Sequence, residues 1–210
     1  EISECLVGSE MCIRDRLYDL RGCADRIIAS PCEVMAAGFN YTDILPHLLA
    51  DAGTSYDLPG VCSEYHDYYI NRATTKSGCI ALTVTGELEP LAAIVKEIET
   101  KYPGKTYDRA SLQTYEGLDE HVFYDLQGYI EAICDEKDPL LDKFRAQMGK
   151  AFPTESRLHT PSFYSVYGLG DAPNGMHTIE DGKYSGVTTS APCERFAPEW
   201  AQTSWYRATH

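Results

Sequence analysis

The sequence predicts an α+β fold in which helices pack on a small sheet and the C-terminal part is rich in β-hairpins. Three observations support this. Residues 79–85 alternate large and small side chains as a strand does, and residues 87–102 place apolar side chains on one helical face. After Phe152, short alternating runs and turn residues replace the helical periodicity.

Two helices are expected before this strand. In residues 41–52, Thr42 is a candidate N-cap, Pro46 lies near the first turn and Gly53 is a stop signal. Residues 62–73 repeat apolar side chains at the spacing of one helix face. Residues 26–29 fit a strand or a helical turn equally well, because four residues are too few to show a period.

The strand and helix at 79–102 are expected to continue into a return strand at 106–108, because Pro103 and Gly104 end the helix. Such a unit is a βαβ or split βαβ element. Residues 81–108, with the run Lys-Tyr-Pro-Gly-Lys after the helix, resemble the opening of periplasmic solute-binding proteins. That resemblance implies a binding function.

Two further helices and one hairpin are predicted after this unit. Residues 117–134 form an amphipathic helix with acidic residues in its first turn, where the helix dipole favours them. A helix from 139 to about 152 has Asp138 as its cap and Pro139 at its first position. Residues 162–167 alternate as a strand, and Asp181-Gly182 is a two-residue turn between strands at 176–180 and 183–188.

The first sixteen residues resemble the in-frame translation of a transposase sequencing adaptor, not natural protein. Processing scars of this kind are set aside before the fold is considered. We therefore treat residues 1–16 as an artefactual, adaptor-derived segment. Residues 17–210 are expected to form a single α+β domain, and we expect both of its ends to be truncations of a longer chain.

The composition excludes several kinds of partner. The formal net charge is −14, and no cluster of Lys and Arg offers a surface for nucleic-acid phosphates. The same charge disfavours anionic membranes. The sequence also has no run of eighteen apolar residues, so we expect a soluble, acidic, tyrosine-rich protein without a transmembrane helix.

Six cysteines follow the leading segment, at Cys23, Cys32, Cys62, Cys79, Cys134 and Cys193. An even count at wide spacing is compatible with three disulfides, and equally with buried thiols that act as small apolar side chains. Paired cysteines would favour a secreted or periplasmic protein. Both alternatives stay open at this stage.

The densest cluster of reactive side chains is His66-Asp67, flanked by tyrosines. His66 and Asp67 are candidate catalytic residues, and with His47 they are candidate metal ligands. Together with Asp119 or Asp125, the order of these residues resembles that of HD-type metal phosphohydrolases, which implies a metal-dependent hydrolase.

Two more catalytic candidates stand apart from this cluster. His177 follows a glycine-rich loop at 168–175, a common location for site residues. Cys32 follows Ser30-Pro31, and a thiol at a helix start would be an activated nucleophile. His66, His121 or His177 would then act as its base.

The functional prediction is a small-molecule-processing enzyme of undetermined reaction type, with no cofactor assigned. The alternative is an exported, disulfide-stabilised protein that binds a small ligand or metal in a tyrosine-lined cleft. A third alternative is an interaction module of a larger protein. No G-x-S-x-G, H-E-x-x-H or Walker motif is present to name a reaction.

Overall fold

The computed structural model describes residues 13–49, 56–167 and 173–210, and these form an α+β fold as predicted. The helices are α1 (Ile13–Asp19), α2 (Tyr41–Leu48), α3 (Leu58–Asp67), α4 (Leu88–Lys101), α5 (Leu126–Ile133), α6 (Pro139–Ala151), α7 (Ala197–Trp200) and α8 (Ser204–Thr209). The strands are β1 (Arg26–Ala29), β2 (Cys79–Val84), β3 (Tyr124–Asp125), β4 (Arg157–His159), β5 (Ser162–Tyr164), β6 (Met176–Thr178) and β7 (Thr188–Thr189).

The central sheet has the order β1-β2-β4, and both of its pairings are antiparallel. In its register Ile28 faces Leu82 and Ile80 faces Leu158. Two smaller antiparallel pairs, β3 with β7 and β5 with β6, accompany it. Residues 26–29, which the sequence left undecided, therefore form a strand.

Helices cover the central sheet on both faces. Successive strand residues point to opposite faces, so Ile27 and Ile28 enter different clusters. Ile27 packs with α4, α5 and α6, whereas Ile28 packs with α3 around Tyr65 and Leu82. The central sheet therefore meets solvent at its strand ends and their loops and not on its faces.

Helices α4 and α6 agree with the sequence prediction. The Asp138 side chain caps α6 by accepting the Leu140 backbone N–H at 3.0 Å. The Lys101 and Tyr102 side chains, at the end of α4, also donate to the Asp138 carboxylate and hold its pKa well below the usual range. One side chain therefore caps α6 and fastens it to the end of α4.

The predicted helix at 117–134 is wrong in its first half, because α5 begins only at Leu126. The buried Glu116 carboxylate accepts the backbone N–H groups of Val122 and Phe123 at 2.7 and 3.0 Å, which holds residues 116–123 in a loop. Asp125 then caps α5 by accepting the Gly128 N–H at 2.9 Å. Side-chain acceptors have replaced helical hydrogen bonds here.

Other element boundaries differ from the expectations. Asn40, not Thr42, is the N-cap residue of α2, and α2 ends at Leu48; residues 50–52 lie outside the described part. Helix α3 begins earlier than predicted, at Leu58 with Asp57 as cap, and continues as π-helix over Tyr68–Arg72.

The expected return strand at 106–108 is not formed. Asp108 instead caps a short 3-10 helix at Arg109–Ser111. Since both neighbours of β2 run antiparallel to it, the described residues contain no βαβ unit around this strand.

The strands predicted to form a hairpin around Asp181-Gly182 pair with other strands instead. A turn does form at Asp181-Gly182, with Gly182 at φ +78° and the Lys183 N–H donating to the Glu180 carbonyl at 3.0 Å. Strand β6, however, pairs with β5, which precedes it in the chain, and β7 pairs with β3. Two-residue turn chemistry identified the turn but not the partner strands.

Of the two alternatives left open for the six cysteines after the leading segment, the structure supports free thiols, because none of the six is paired. Cys62, Cys79, Cys134 and Cys193 are buried among apolar side chains, where a thiol packs as a small hydrophobic group. The preference for a secreted or periplasmic location depended on paired cysteines and loses that support.

The adaptor prediction concerns residues 1–16, of which 1–12 lie outside the described part. Helix α1 starts at Ile13, and its residues Leu17 and Tyr18 enter the main core. The origin of the leading segment therefore stays a prediction. Within the described ranges, no helix has the length and apolar character needed to cross a bilayer.

Candidate functional site

At one end of the central sheet, the ends of its three strands bring together several of the thiol, imidazole and hydroxyl groups of the chain. Strand β1 ends at Ala29, β2 begins at Cys79 and β4 ends at His159. Because these strands are antiparallel neighbours, their ends lie side by side. We call this group, with the loops at 30–33 and 160–162, the site edge.

Cys32 lies at the site edge in a turn that Ser30 organises. The Ser30 hydroxyl donates to the Cys32 carbonyl at 2.8 Å and accepts the Cys32 N–H at 3.3 Å. The Cys32 side chain packs against the buried cluster that contains Cys79, Tyr115 and Phe163. No helix begins at Cys32, so the expected activation by a helix start is absent.

Thr160 joins the end of β4 to the start of β2. Its N–H donates to the Gly78 carbonyl at 3.1 Å, and its hydroxyl accepts the Gly78 N–H at 2.9 Å. The same hydroxyl donates to the Ser162 carbonyl at 2.7 Å. With the side chain fully buried, these bonds give the site edge a defined backbone geometry.

Two further hydrogen bonds tie the site edge to the β5 region. The Glu33 carboxylate accepts the Val166 N–H at 2.6 Å, and the Ser77 hydroxyl accepts the Tyr164 N–H at 2.8 Å. Each bond joins segments far apart in the chain. A shift of the loop after β1 would therefore be felt in the segment after β5.

Two histidines meet at the site edge. His66, on α3, has its Nε2 atom 3.0 Å from the His159 carbonyl, and His159 Nδ1 lies 2.9 Å from the Thr160 carbonyl. Because a carbonyl only accepts, each of these nitrogens must carry the proton. The His159 ring also packs on Tyr184 at a centroid distance of 4.5 Å.

The predicted metal ligands His47, His66 and Asp67 have separate partners. His47 Nδ1 pairs with Asp57 at 2.8 Å, which holds α2 beside the start of α3. The exposed Asp67 accepts the Asn71 amide at 2.6 Å. Across the described residues, no group of three or more His, Cys, Asp or Glu side chains is arranged to hold a metal.

His177 lies on β6 and does not join the other candidates. Its ring stacks on Phe163 at 5.3 Å, and its Nε2 atom is buried with no hydrogen-bond partner among the described residues. Gly117 makes room for it, because a Cβ atom there would lie 2.5 Å from Nε2. Most of the glycine-rich loop before His177, at 168–172, lies outside the described residues.

A second concave surface lies away from the site edge. This cavity of about 600 Å³ is bordered by α1 and the C-terminal helices and contains aromatic side chains and Arg195. The aromatic residues are Phe123, Tyr167, Phe196 and Trp200. None of the catalytic or metal-binding candidates lines it.

The known proteins most informative for this chain are bacterial cysteine proteases. A clostripain from Bacteroides thetaiotaomicron, solved in complex with the peptide inhibitor BTN-VLTK-AOMK, is 31% identical with a TM-score of 0.80, covering 94% of this chain and 82% of that chain. This chain belongs to the clostripain family. The match supports the broad prediction of an enzyme, whereas the alternative of a disulfide-stabilised binding protein has lost its premise.

Other solved structures of the clostripain type agree. A secreted C11 cysteine protease from the same species, iotapain, is 31% identical with a TM-score of 0.80, and this chain spans 52% of its length. A Bacteroides fragilis cysteine protease is 24% identical with a TM-score of 0.79, covering 93% of this chain and 81% of that chain, which shows the fold alone. No protein-family model and no curated protein matches the chain.

Because the chain belongs to a family of cysteine proteases, its thiols are the first candidates for a nucleophile. Burial raises the pKa of Cys62 to about 12, raises that of Cys79 well above its usual range and also raises that of Cys134. A nucleophilic thiol needs the opposite shift. For Cys32, no histidine nitrogen of the described residues lies within hydrogen-bonding distance of its sulfur.

The residues that sequence reasoning missed are His159, Thr160 and Tyr184. Each contributes through partners distant in the chain, such as the Tyr184 hydroxyl, which donates to the Ile80 carbonyl at 3.0 Å. Of the predicted catalytic residues, the structure places Cys32 and His66 at the site edge, and Asp67 and His177 outside it. No local pattern in the sequence predicts these contacts between residues that are distant in the chain.

Proposed function

We propose that this chain takes part in peptide-bond hydrolysis as a cysteine peptidase of the clostripain family. The supporting observation is the 31% identity and TM-score of 0.80 to a clostripain that binds a peptide inhibitor. Its peptide portion, VLTK, ends in lysine. We therefore take peptides with a basic residue as the substrate class, which the net charge of −14 would attract electrostatically.

The site edge is the part of the described chain that we assign to the peptide. It lies at strand ends, where a covered sheet still meets solvent, and its loops are fixed by hydrogen bonds. We assign Cys32 a place in the lining and not the role of nucleophile. Its contacts are Ser30 and the Cys79 cluster, and none is a base.

The remaining candidates receive structural roles in this proposal. His66 is a positioning residue, because its ring holds the His159 carbonyl at the end of β4. Asp67 stabilises the end of α3 by accepting a hydrogen bond from the Asn71 amide. His177 packs on Phe163 and against Gly117, which follows Glu116. We assign the attacking thiol to none of the three cysteines whose pKa burial raises.

Peptide binding tests the proposal directly. A fluorescein-labelled Val-Leu-Thr-Lys amide is titrated with the protein and followed by anisotropy, with Val-Leu-Thr-Glu amide as the matched control. We expect the lysine peptide to bind at least about tenfold more tightly, which corresponds to about 1.4 kcal/mol. Equal affinities, or no binding of either peptide, would contradict the assignment to this peptidase class.

The role of Cys32 needs its own measurement. The Cys32→Ser variant should bind the lysine peptide within about threefold of the parent, since serine keeps the size of the side chain. Val-Leu-Thr-Lys acyloxymethyl ketone is then added to the parent protein, and labelled peptides are mapped by mass spectrometry. A label on Cys32 that blocks turnover would show that this residue is the nucleophile and not part of the lining.

A further inference from the structure

Two free thiols, Cys32 and Cys79, belong to one apolar cluster at the site edge, although they are 47 positions apart in the chain. Cys79 opens β2 and is 1% exposed. Cys32 lies three residues beyond Ala29, which is the partner of Ala81 in the register between β1 and β2. Continuing that antiparallel register past Ala29 brings the Cys32 turn alongside the start of β2.

The two side chains differ in their access to solvent and in their freedom to move. Cys32 is half-buried and lies outside the helices and strands, whereas Cys79 is enclosed by Tyr115, Phe163 and Ile179. Cys79 is also part of a sheet strand that pairs on both sides. A small oxidant therefore reaches Cys32 first, and the segment that must move to join the sulfurs is the Cys32 turn.

We infer that Cys32 and Cys79 form a reversible disulfide under peroxide and that this bond switches off peptide binding at the site edge. The second half of this inference rests on the proposed function. The chemistry balances with hydrogen peroxide as the two-electron oxidant. Cys32 is oxidised to a sulfenic acid as the O–O bond breaks and water leaves; Cys79 then attacks the Cys32 sulfur, the S–S bond forms and a second water leaves.

Closing the bond displaces the residues next to Cys32. Its neighbour Glu33 holds the Val166 N–H at 2.6 Å, and Ser30 holds the Cys32 carbonyl and N–H. Drawing Cys32 onto β2 strains these contacts, because the two sulfurs are not bonded in the present arrangement. The peptide-lining loop after β1 would then be held in a different position.

The rate of the second step should depend strongly on pH. Attack on the sulfenic sulfur requires a thiolate, and burial together with the neighbouring Cys32 thiol raises the pKa of Cys79 well above its usual range. Disulfide formation should therefore be slow at neutral pH and accelerate by about tenfold per pH unit as long as Cys79 stays mostly protonated.

The first experiment looks for the bond itself. The full chain is treated with hydrogen peroxide, its remaining thiols are blocked with N-ethylmaleimide, and its peptides are mapped by mass spectrometry without reduction. We expect a linked pair that contains Cys32 and Cys79 and disappears with dithiothreitol. The pair should still form in Cys193→Ala, the control with another buried thiol removed, and be lost in Cys32→Ser. Cys32 recovered as sulfinic acid, or linked to another cysteine, would overturn the inference.

The second experiment connects the bond to the site. Anisotropy with the labelled Val-Leu-Thr-Lys amide should show at least about a tenfold loss of affinity after oxidation, restored by dithiothreitol and absent in Cys79→Ala. A disulfide that forms with unchanged affinity would refute the switch. If the reduced protein does not bind the peptide at all, the proposed function fails, while the mass-spectrometric result still decides the disulfide.

Discussion

The core around α4 and α6 and the site edge are stabilised in different ways. The core is held by fully buried apolar side chains such as Leu91, Val95 and Phe144. Buried side chains of this kind recur along each helix with the helical period. The site edge is held by side-chain hydrogen bonds to backbone groups, as at Thr160 and Glu33, between segments distant in the chain. The first kind of stability tolerates changes in sequence that keep the volume, whereas the second depends on individual donors and acceptors.

The largest expected effect comes from breaking the core side of this contrast. Phe144→Ala should lower the free energy of unfolding by about 3–5 kcal/mol, because it empties a fully buried aromatic site between α4 and α6. Urea unfolding followed by circular dichroism measures the loss. The exposed Lys96→Ala on α4 is the matched control and should stay within about 0.5 kcal/mol of the parent. A loss below about 1 kcal/mol for Phe144→Ala would mean that this core is loosely packed.

A smaller stability effect, but a more specific one, is expected at the site edge. Thr160→Val keeps the shape of the side chain and removes the acceptor of the Gly78 N–H, leaving a buried donor unsatisfied. The expected loss is about 1–3 kcal/mol in the free energy of unfolding.

The same variant separates the two regions functionally. Thr160→Val should also weaken binding of the lysine peptide, measured by anisotropy, at temperatures where the protein remains folded. The core control is Ile98→Val in α4, with an expected cost of about 0.5–1.5 kcal/mol in the free energy of unfolding, and it should leave that affinity unchanged. If both variants weaken binding equally, the site edge is not distinct from the core in function.

The smallest effect concerns the loop at 116–123, which shares the polar character of the site edge. The hydrogen bond that the His121 ring donates to the Glu116 carboxylate raises the pKa of His121. Because the folded value lies above the unfolded one, the stabilisation is fully present below about pH 6.5 and is lost as the pH rises through the folded pKa. The His121 side chain is 41% exposed, so solvent screening keeps the contribution below about 1 kcal/mol.

Thermal unfolding over pH 5–8 tests this term. His121→Gln should flatten the pH dependence of the melting temperature and lower stability mainly at the acidic end of that range. A histidine whose hydrogen-bond partner is a carbonyl and not a carboxylate serves as the control, and His66→Gln is suitable because its ring donates to the His159 carbonyl. An unchanged profile in His121→Gln would show that the Glu116–His121 pair does not contribute to stability.

The contrast between the two regions also explains which parts of the molecule could be predicted. Helices α4 and α6 and strand β2 follow from periodicity and from the Asp138-Pro139 start, because these signals act over a few neighbouring residues. The first half of the helix predicted at 117–134 is wrong because the Glu116 carboxylate binds backbone groups that periodicity assigns to a helix. The pairing of β5 with β6 depends on contacts that no local rule contains.

The candidate site was less predictable than the fold for the same reason. Cys32 and His66 were selected for their chemistry, and the structure brings both to one sheet edge, but their partners Cys79 and His159 lie 47 and 93 positions away. The choice between disulfides and free thiols could not be made from the sequence, because an even count of cysteines says nothing about distance. The family became visible only through the comparison of whole folds.

The central sheet is enclosed by helices on both of its faces, and this has a consequence for divergence within the family. Substitutions on either face alter packing against a helix, so drift there is limited by folding. The loops at the strand ends contribute less to this packing, so their residues and lengths can change while the sheet and helices stay the same. Relatives that differ in the peptides they accept should therefore differ first in these loops, and grafting a loop between two of them is a practical way to transfer a preference.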